Sequence, residues 1–96
     1  MYVLVVYDVS DNGARAKLAD YLKSRGFTRI QRSVFIGNPL PARYKDVLRT
    51  IPRFIDRDSD VVHLFPLTEY SLRYYTVYGK PWADIPRGSR ELVVIS

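Results

Sequence analysis

Residues 2–9, YVLVVYDV, are aliphatic or aromatic at every position except Asp8. A strand alternates its side chains between two faces, and here both faces are apolar. That pattern predicts a strand covered from both sides. The period then changes. Ala14, Leu18, Tyr21 and Leu22 fall at i, i+4, i+7 and i+8, the buried stripe of a helix running to about residue 25. Asp11 or Asn12 can cap its start, and Gly26 can end it.

Residues 27–36 read as a second strand. Thr28, Ile30, Arg32, Val34 and Ile36 share one face, and Arg29, Gln31, Ser33 and Phe35 share the other. Gly37-Asn38-Pro39 is a turn signal. A second helix follows, with Tyr44, Val47, Leu48 and Ile51 inward and Arg43, Lys45, Arg49 and Arg53 toward solvent. Pro52 should kink or stop it. Residues 56–60 (DRDSD) form a polar loop, and residues 61–67 a third strand. A short turn over 68–72 and a strand over 73–78 come next. Residues 80–90 form a loop with two prolines and the only tryptophan, and 92–95 is again strand-like.

The order is β-α-β-α-β-β-β, or βαββαβ-like with a strand added at the end. It predicts an α+β fold: a ferredoxin-like βαββαβ sandwich with an additional C-terminal strand, in one domain over residues 1–96. Helices on one sheet face leave the other face of the first strand bare. The sheet of a second copy is the economical cover, which predicts a homodimer with sheets face to face. The apolar tail also needs a partner strand, and a second subunit could supply it.

Composition narrows the partners. The 96 residues include no cysteine, so disulfides and thiolate metal sites are excluded. No segment is long and apolar enough to span a membrane, and Tyr7-Asp8 breaks the first apolar run too early for a signal peptide. A cytoplasmic protein is expected. The formal net charge is +5, unevenly spread. Residues 12–57 carry eleven Lys and Arg against three Asp, a local net of +8. A polyanion, most often nucleic acid, fits such asymmetry, and a solvated basic face is the alternative.

Asp8 is the main candidate for chemistry. A carboxylate is costly to bury unless it is paired or bound to metal. At the end of the first strand and facing a two-fold axis, it would meet its symmetry mate. A shared divalent cation would relieve their repulsion, and Mg²⁺ is content with one or two carboxylates plus water. Alternatively, Asp8 accepts hydrogen bonds from the backbone of the following turn. Asp11 and Ser10 read as helix-start residues. The single histidine, His63, lies mid-strand, so no Ser-His-Asp or Cys-His arrangement can be assembled.

Arg15 and Lys17 sit in the first turns of the first helix, where cations oppose the helix dipole. Phosphate contact explains them, and so does ordinary surface charge. Arg29 and Phe35, on one strand face, could hold a phosphate and stack a base. Core or dimer packing is the weightier alternative for Phe35, and packing is also expected for Tyr7.

The run YDVSDNGARAKLADYL, followed by GFTRIQRSVFIG, resembles the CRISPR-associated protein 2 family. The likeness covers residues 2–37 closely and the remainder loosely. It implies a ferredoxin-like homodimer that bridges the CRISPR adaptation integrase and binds the DNA to be inserted as a spacer. It also implies a metal-dependent endonuclease, using Mg²⁺ or alternatively Mn²⁺, that cuts single-stranded RNA or double-stranded DNA. Position by position, Asp8 becomes the catalytic metal ligand, one from each subunit. Tyr7, Arg15, Lys17, Arg29, Ser33 and Phe35 match positions at or around that site. A nucleic-acid scaffold without catalysis is the main competing class. An acylphosphatase-like enzyme would need an arginine in a phosphate loop after the first strand, where this chain has an acidic turn. An RNA-recognition module would need paired strand aromatics in a Lys/Arg-Gly-Phe/Tyr context, which Tyr74, Tyr75 and Tyr78 lack.

Overall fold

The computed structural model describes residues 1–85 and the backbone of 93–95. The elements are β1 (Tyr2–Asp8), α1 (Asn12–Ser24), β2 (Thr28–Gln31), β3 (Val34–Gly37), α2 (Pro41–Thr50), β4 (Val61–Leu67), α3 (Glu69–Arg73), β5 (Thr76–Tyr78) and β6 (Val93–Ile95). Four strands form an antiparallel sheet in the order β2-β3-β1-β4. With α1 and α2 as its connections, this is the α+β sandwich that the pattern predicts.

The stretch predicted as one strand over 27–36 is a hairpin. Gln31 pairs with Val34 across a turn at Arg32-Ser33, and the register shifts between Arg29 and Gln31. The pattern hid the turn because QRSV carries no Asn-Gly or Asp-Gly signal and the alternation continues through it. Thr28 faces Ile36 and Arg29 faces Phe35, so the expected face-sharing of Arg29 and Phe35 holds.

The two sheet faces are covered differently. On the helix side, Val3, Val5 and Tyr7 of β1 and Phe35 of β3 pack with Leu18, Ala19 and Leu22 of α1, Val47 of α2 and Ile51. Local chemistry sets those helices. Asp11 accepts the Ala14 N–H at 2.7 Å and so caps α1. Gly26 ends α1 at φ 87°, a conformation that costs glycine little. Pro41 occupies the first turn of α2, and Pro52 lies in the 3-10 turn Ile51–Phe54 that follows it. Leu48, expected inward, is 45% exposed. It lies off the stripe made by Tyr44, Val47 and Ile51, which already fills the contact with the sheet.

On the other face, Ile30 and Ile36 pack with Leu72 and Ile85, and Tyr2, Leu4, Val34, Leu67 and Tyr75 border them. The chain's own later segment therefore covers one end of the face that was expected to need a second copy. The rest is open, with Val61 42% and Phe65 48% exposed. The tail also differs from expectation, because Val93–Ile95 pairs in parallel with Thr76–Tyr78 of its own chain. Leu92, and residues 86–90 of the expected loop, lie outside the described residues.

Gly37 ends β3 beneath the ring of Phe27. A Cβ there would sit 2.7 Å from the nearest ring carbon. Phe27 is buried, so its ring has little room to yield. Gly37→Ala is expected to destabilise the fold by about 1–3 kcal/mol, the usual cost of overpacking. Urea unfolding would read this as a lower midpoint at unchanged slope, and an unchanged midpoint would contradict the packing described.

Candidate nucleic-acid interface

Three loops meet where β1 ends. The Tyr7 N–H donates to the Ser33 carbonyl at 3.0 Å, which ties the β2–β3 turn to β1. The Ser10 N–H and hydroxyl both donate to Asp60 Oδ1, at 3.1 and 2.9 Å. The other Asp60 oxygen accepts the Asp56 N–H at 2.9 Å. Asp60 thus joins the loop after β1 to the loop before β4. The N–H of Asp56 first, then the N–H and hydroxyl of Ser10, hold the Asp60 carboxyl below the ordinary aspartate range. Arg15 adds a further tie, because Nη1 donates to the Val9 carbonyl at 2.9 Å and Nη2 to Asn12 Oδ1. A structural role therefore accounts for part of what Arg15 does at the start of α1.

Asp8 takes no part in this network. Its carboxylate is exposed and accepts no hydrogen bond or ion pair among the described residues. The capping expected as its alternative role belongs to Asp11. Asp8 pairs with Val61 and Val6 with His63, which puts Asp8, Val6, Val61 and His63 on the open sheet face. The His63 ring stacks on Phe65 there, with centroids 5.8 Å apart.

Tyr7 points the opposite way, into the helix-side core, at 4% exposure. Its ring stacks on Phe35 at 6.1 Å, and its hydroxyl has no hydrogen-bond partner. Phe35 is fully buried. It therefore offers no face for a base, which corrects its expected stacking role. It supports Arg29 instead, whose guanidinium lies 5.2 Å from the Phe35 ring centroid. The ring of Trp82 covers Arg29 from 5.1 Å, and the Trp82 N–H donates to the Ile30 carbonyl at 3.0 Å.

Arg29 and Arg15 line one groove of about 320 Å³ between α1 and β2, with Lys23, Arg32, Asp20 and Trp82. Lys17 is exposed on another side of α1 and does not line it. The groove lies on the helix side, whereas Asp8 lies on the open face. The expected residues therefore divide into two places. Lys23, Arg32 and Trp82 escaped the sequence reading. The lone tryptophan was visible in its loop, but its contact with Arg29 spans some fifty residues and leaves no local pattern.

Among the described residues no three His, Asp or Glu side chains form a metal-binding group. Asp8 is a hard oxygen donor free of internal bonds, which suits Mg²⁺, but one carboxylate makes half of the expected site. No helix among the described residues is long and apolar enough to cross a membrane.

These features define a small α+β protein with a basic groove on one side of its sheet and a free carboxylate on the other. The family model described as CRISPR associated protein Cas2 matches residues 1–74, and the chain belongs to that family. It is 49% identical over 81 residues to "CRISPR-associated endoribonuclease Cas2 2" of Pyrobaculum aerophilum, covering 84% of this chain and 89% of the relative. It is 46% identical over 72 residues to "CRISPR-associated endonuclease Cas1/endonuclease Cas2 fusion" of Thermoproteus tenax. That match takes in 75% of this chain and 27% of the fusion, so the chain spans about a quarter of that relative. A crystal structure of Streptococcus pyogenes Cas2 superposes with a TM-score of 0.70 at 28% identity, over 78% of this chain and 95% of that one.

The Asp60 tether has a pH signature. A carboxyl whose native pKa is lowered stabilises the fold above its unfolded pKa, near 4, and loses that contribution as pH falls through the native value. Asp60→Asn is therefore expected to lower stability by a constant amount at pH 5 and above, with the gap to wild type closing below about pH 4. Unfolding midpoints measured from pH 3 to 7 check this, and a gap that widened toward acid would contradict it.

Proposed function

We propose that the chain acts in CRISPR adaptation as a homodimer, in the cytoplasm, and hydrolyses phosphodiester bonds with divalent metal at paired Asp8 residues. The observation that carries this reading is the free, exposed Asp8 carboxylate beside an incompletely covered apolar face. Each chain acts as one domain, and the two open sheet faces pack together. That packing removes Val6, Val61 and Phe65 from water and brings the two Asp8 residues to the seam. The name of the Pyrobaculum relative, an endoribonuclease, supports the reaction class. The substrate in this reading is single-stranded RNA or double-stranded DNA.

Bound there, Mg²⁺ or Mn²⁺ would supply an activated water and stabilise charge on the phosphate. The chain's own residues do the rest. Asp8 provides the anionic oxygens, and the ties through Ser33 and Asp60 fix the end of β1 so that the carboxylates stay aimed. Arg15, from the groove, and Lys17, from another side of α1, present cations for stretches of nucleic-acid backbone away from the carboxylates. Tyr7 stacks beneath the strand end and holds it from the helix side.

A second reading rests on a separate observation. The basic groove with Arg29 lies across the sheet from Asp8, so nucleic acid can be held without reaching the carboxylates. In that reading the dimer is a scaffold bridging the CRISPR integrase, and the fusion of Cas1 and Cas2 in the Thermoproteus relative supports such a partnership.

Cleavage assays separate the two. Labelled single-stranded RNA and double-stranded DNA are incubated with Mg²⁺, Mn²⁺ or EDTA, comparing wild type with Asp8→Asn. The nuclease reading expects metal-dependent cutting that falls at least about 100-fold in the variant while the dimer persists. Intact binding with no cutting by wild type between pH 5 and 9 would leave the scaffold.

A further inference from the structure

We infer that the groove between α1 and β2 takes an unpaired nucleotide of a single strand, with its base stacked on Trp82 and its phosphate held by Arg29 and Arg32. The inference rests on the nucleic-acid reading above but is independent of Asp8 and of metal.

Two aromatic rings pack against Arg29. Phe35 and Trp82 each lie about 5 Å from its guanidinium, so aromatic rings pack against the group and restrict it. What remains for recognition is its in-plane N–H donors. Its Nε is buried with no hydrogen-bond partner. That atom is out of a ligand's reach, but the Nη donors are not buried and take no hydrogen bond among the described residues, so they are left for a ligand's oxygens. A planar guanidinium held in one orientation suits a phosphate.

The charge of the groove favours an anion. Arg15, Lys23, Arg29 and Arg32 line the groove against the single carboxylate of Asp20. The ion pair between Arg49 and Asp46 lies on α2, and no other is found among the described residues. Among the described residues, none of the groove's cations is neutralised by a carboxylate contact.

Trp82 borders the groove with an exposed ring. Its backbone N–H is fixed to the edge of β2, yet its side is 56% exposed. An indole that is anchored but exposed is a stacking platform. A duplex keeps its bases inside the stack and offers such a ring nothing but ends. An acidic peptide would use the cations and leave the indole idle. A volume of about 320 Å³ lies at the small end for ligand sites and suits one nucleotide. Trp82 lies beyond residues 1–74, the stretch matched by the family model.

Trp82 is the chain's only tryptophan, so its fluorescence reports this site alone. In EDTA, the full chain is titrated with oligouridylate, oligothymidylate, a blunt duplex and a duplex with a single-stranded overhang. Saturable quenching is expected with the single strands and the overhang, and none with the blunt duplex. Comparing the two homopolymers sorts RNA from DNA as the source of the nucleotide, and binding of either supports the site. Trp82→Ala should weaken binding of a labelled single strand by roughly 5- to 100-fold, and Trp82→Phe should recover most of it. Arg32→Ala should reduce the slope of log K against log salt by about 0.7. Tight binding without quenching, with Trp82→Ala at wild-type affinity, would overturn this site and leave the nucleic-acid reading standing. Equal quenching by the blunt duplex would overturn the choice of an unpaired base. Absence of binding to every probe would overturn both.

Discussion

Both faces of β1 are apolar, and the described residues of the chain bury only one of them completely. On the helix side Val3, Val5 and Tyr7 are almost completely buried under α1, α2 and the 3-10 turn. On the other side, Leu72 and Ile85 cover the part near Tyr2 and Leu4 and then stop. The end that carries Val6 and Asp8, with Val61, His63 and Phe65 beside it, stays open. Apolar area left in water is a standing driving force for association, and for a chain of this length it is a large share of what holds a fold together. The proposed dimer answers that constraint, and the position of Asp8 follows from it.

The loops at that end turn the constraint into a defined position. Asp60 grips Ser10, Ser33 grips Tyr7, and the Arg15 guanidinium grips Val9, each at a backbone group of the segment it holds. Each satisfies a donor or acceptor that a strand end would otherwise leave to water. Asp8 alone among these neighbours is left without a bond, with its carboxylate outward. A fixed backbone under a free acidic side chain is what a shared metal site requires of each half. The groove with Arg29 is organised from the same strands but faces the other way. The sheet therefore separates the proposed binding groove from the candidate reaction site.

Much of this was readable from residue pattern. The Asp11 cap, the Gly26 stop and the span of β4 follow from local chemistry and agree with the structure, whereas β1 is apolar on both faces but fully buried on one. The hairpin at Arg32-Ser33 was not readable, because its turn lacks the residues that usually mark one. The cover over Ile30 and Ile36 was also hidden, since it comes from residues more than thirty positions later. Phe35 shows the limit most clearly. Its face was right, but alternation cannot say whether a face is exposed to solvent or buried under a helix. Trp82 takes up the exposed side of the same arginine, a pairing that only the fold brings about.

The chain has no cysteine, so Asp8→Cys places a single thiol where the account puts the two-fold seam. Mild oxidation of that variant, followed by non-reducing electrophoresis and sedimentation, tests the central claim directly. A disulfide needs Cα atoms within about 7 Å, so rapid and near-complete crosslinking into a covalent dimer is the predicted result. A sedimenting monomer, or a dimer whose thiols resist both oxidation and a short bis-maleimide, would contradict the placement of paired Asp8 residues at the interface.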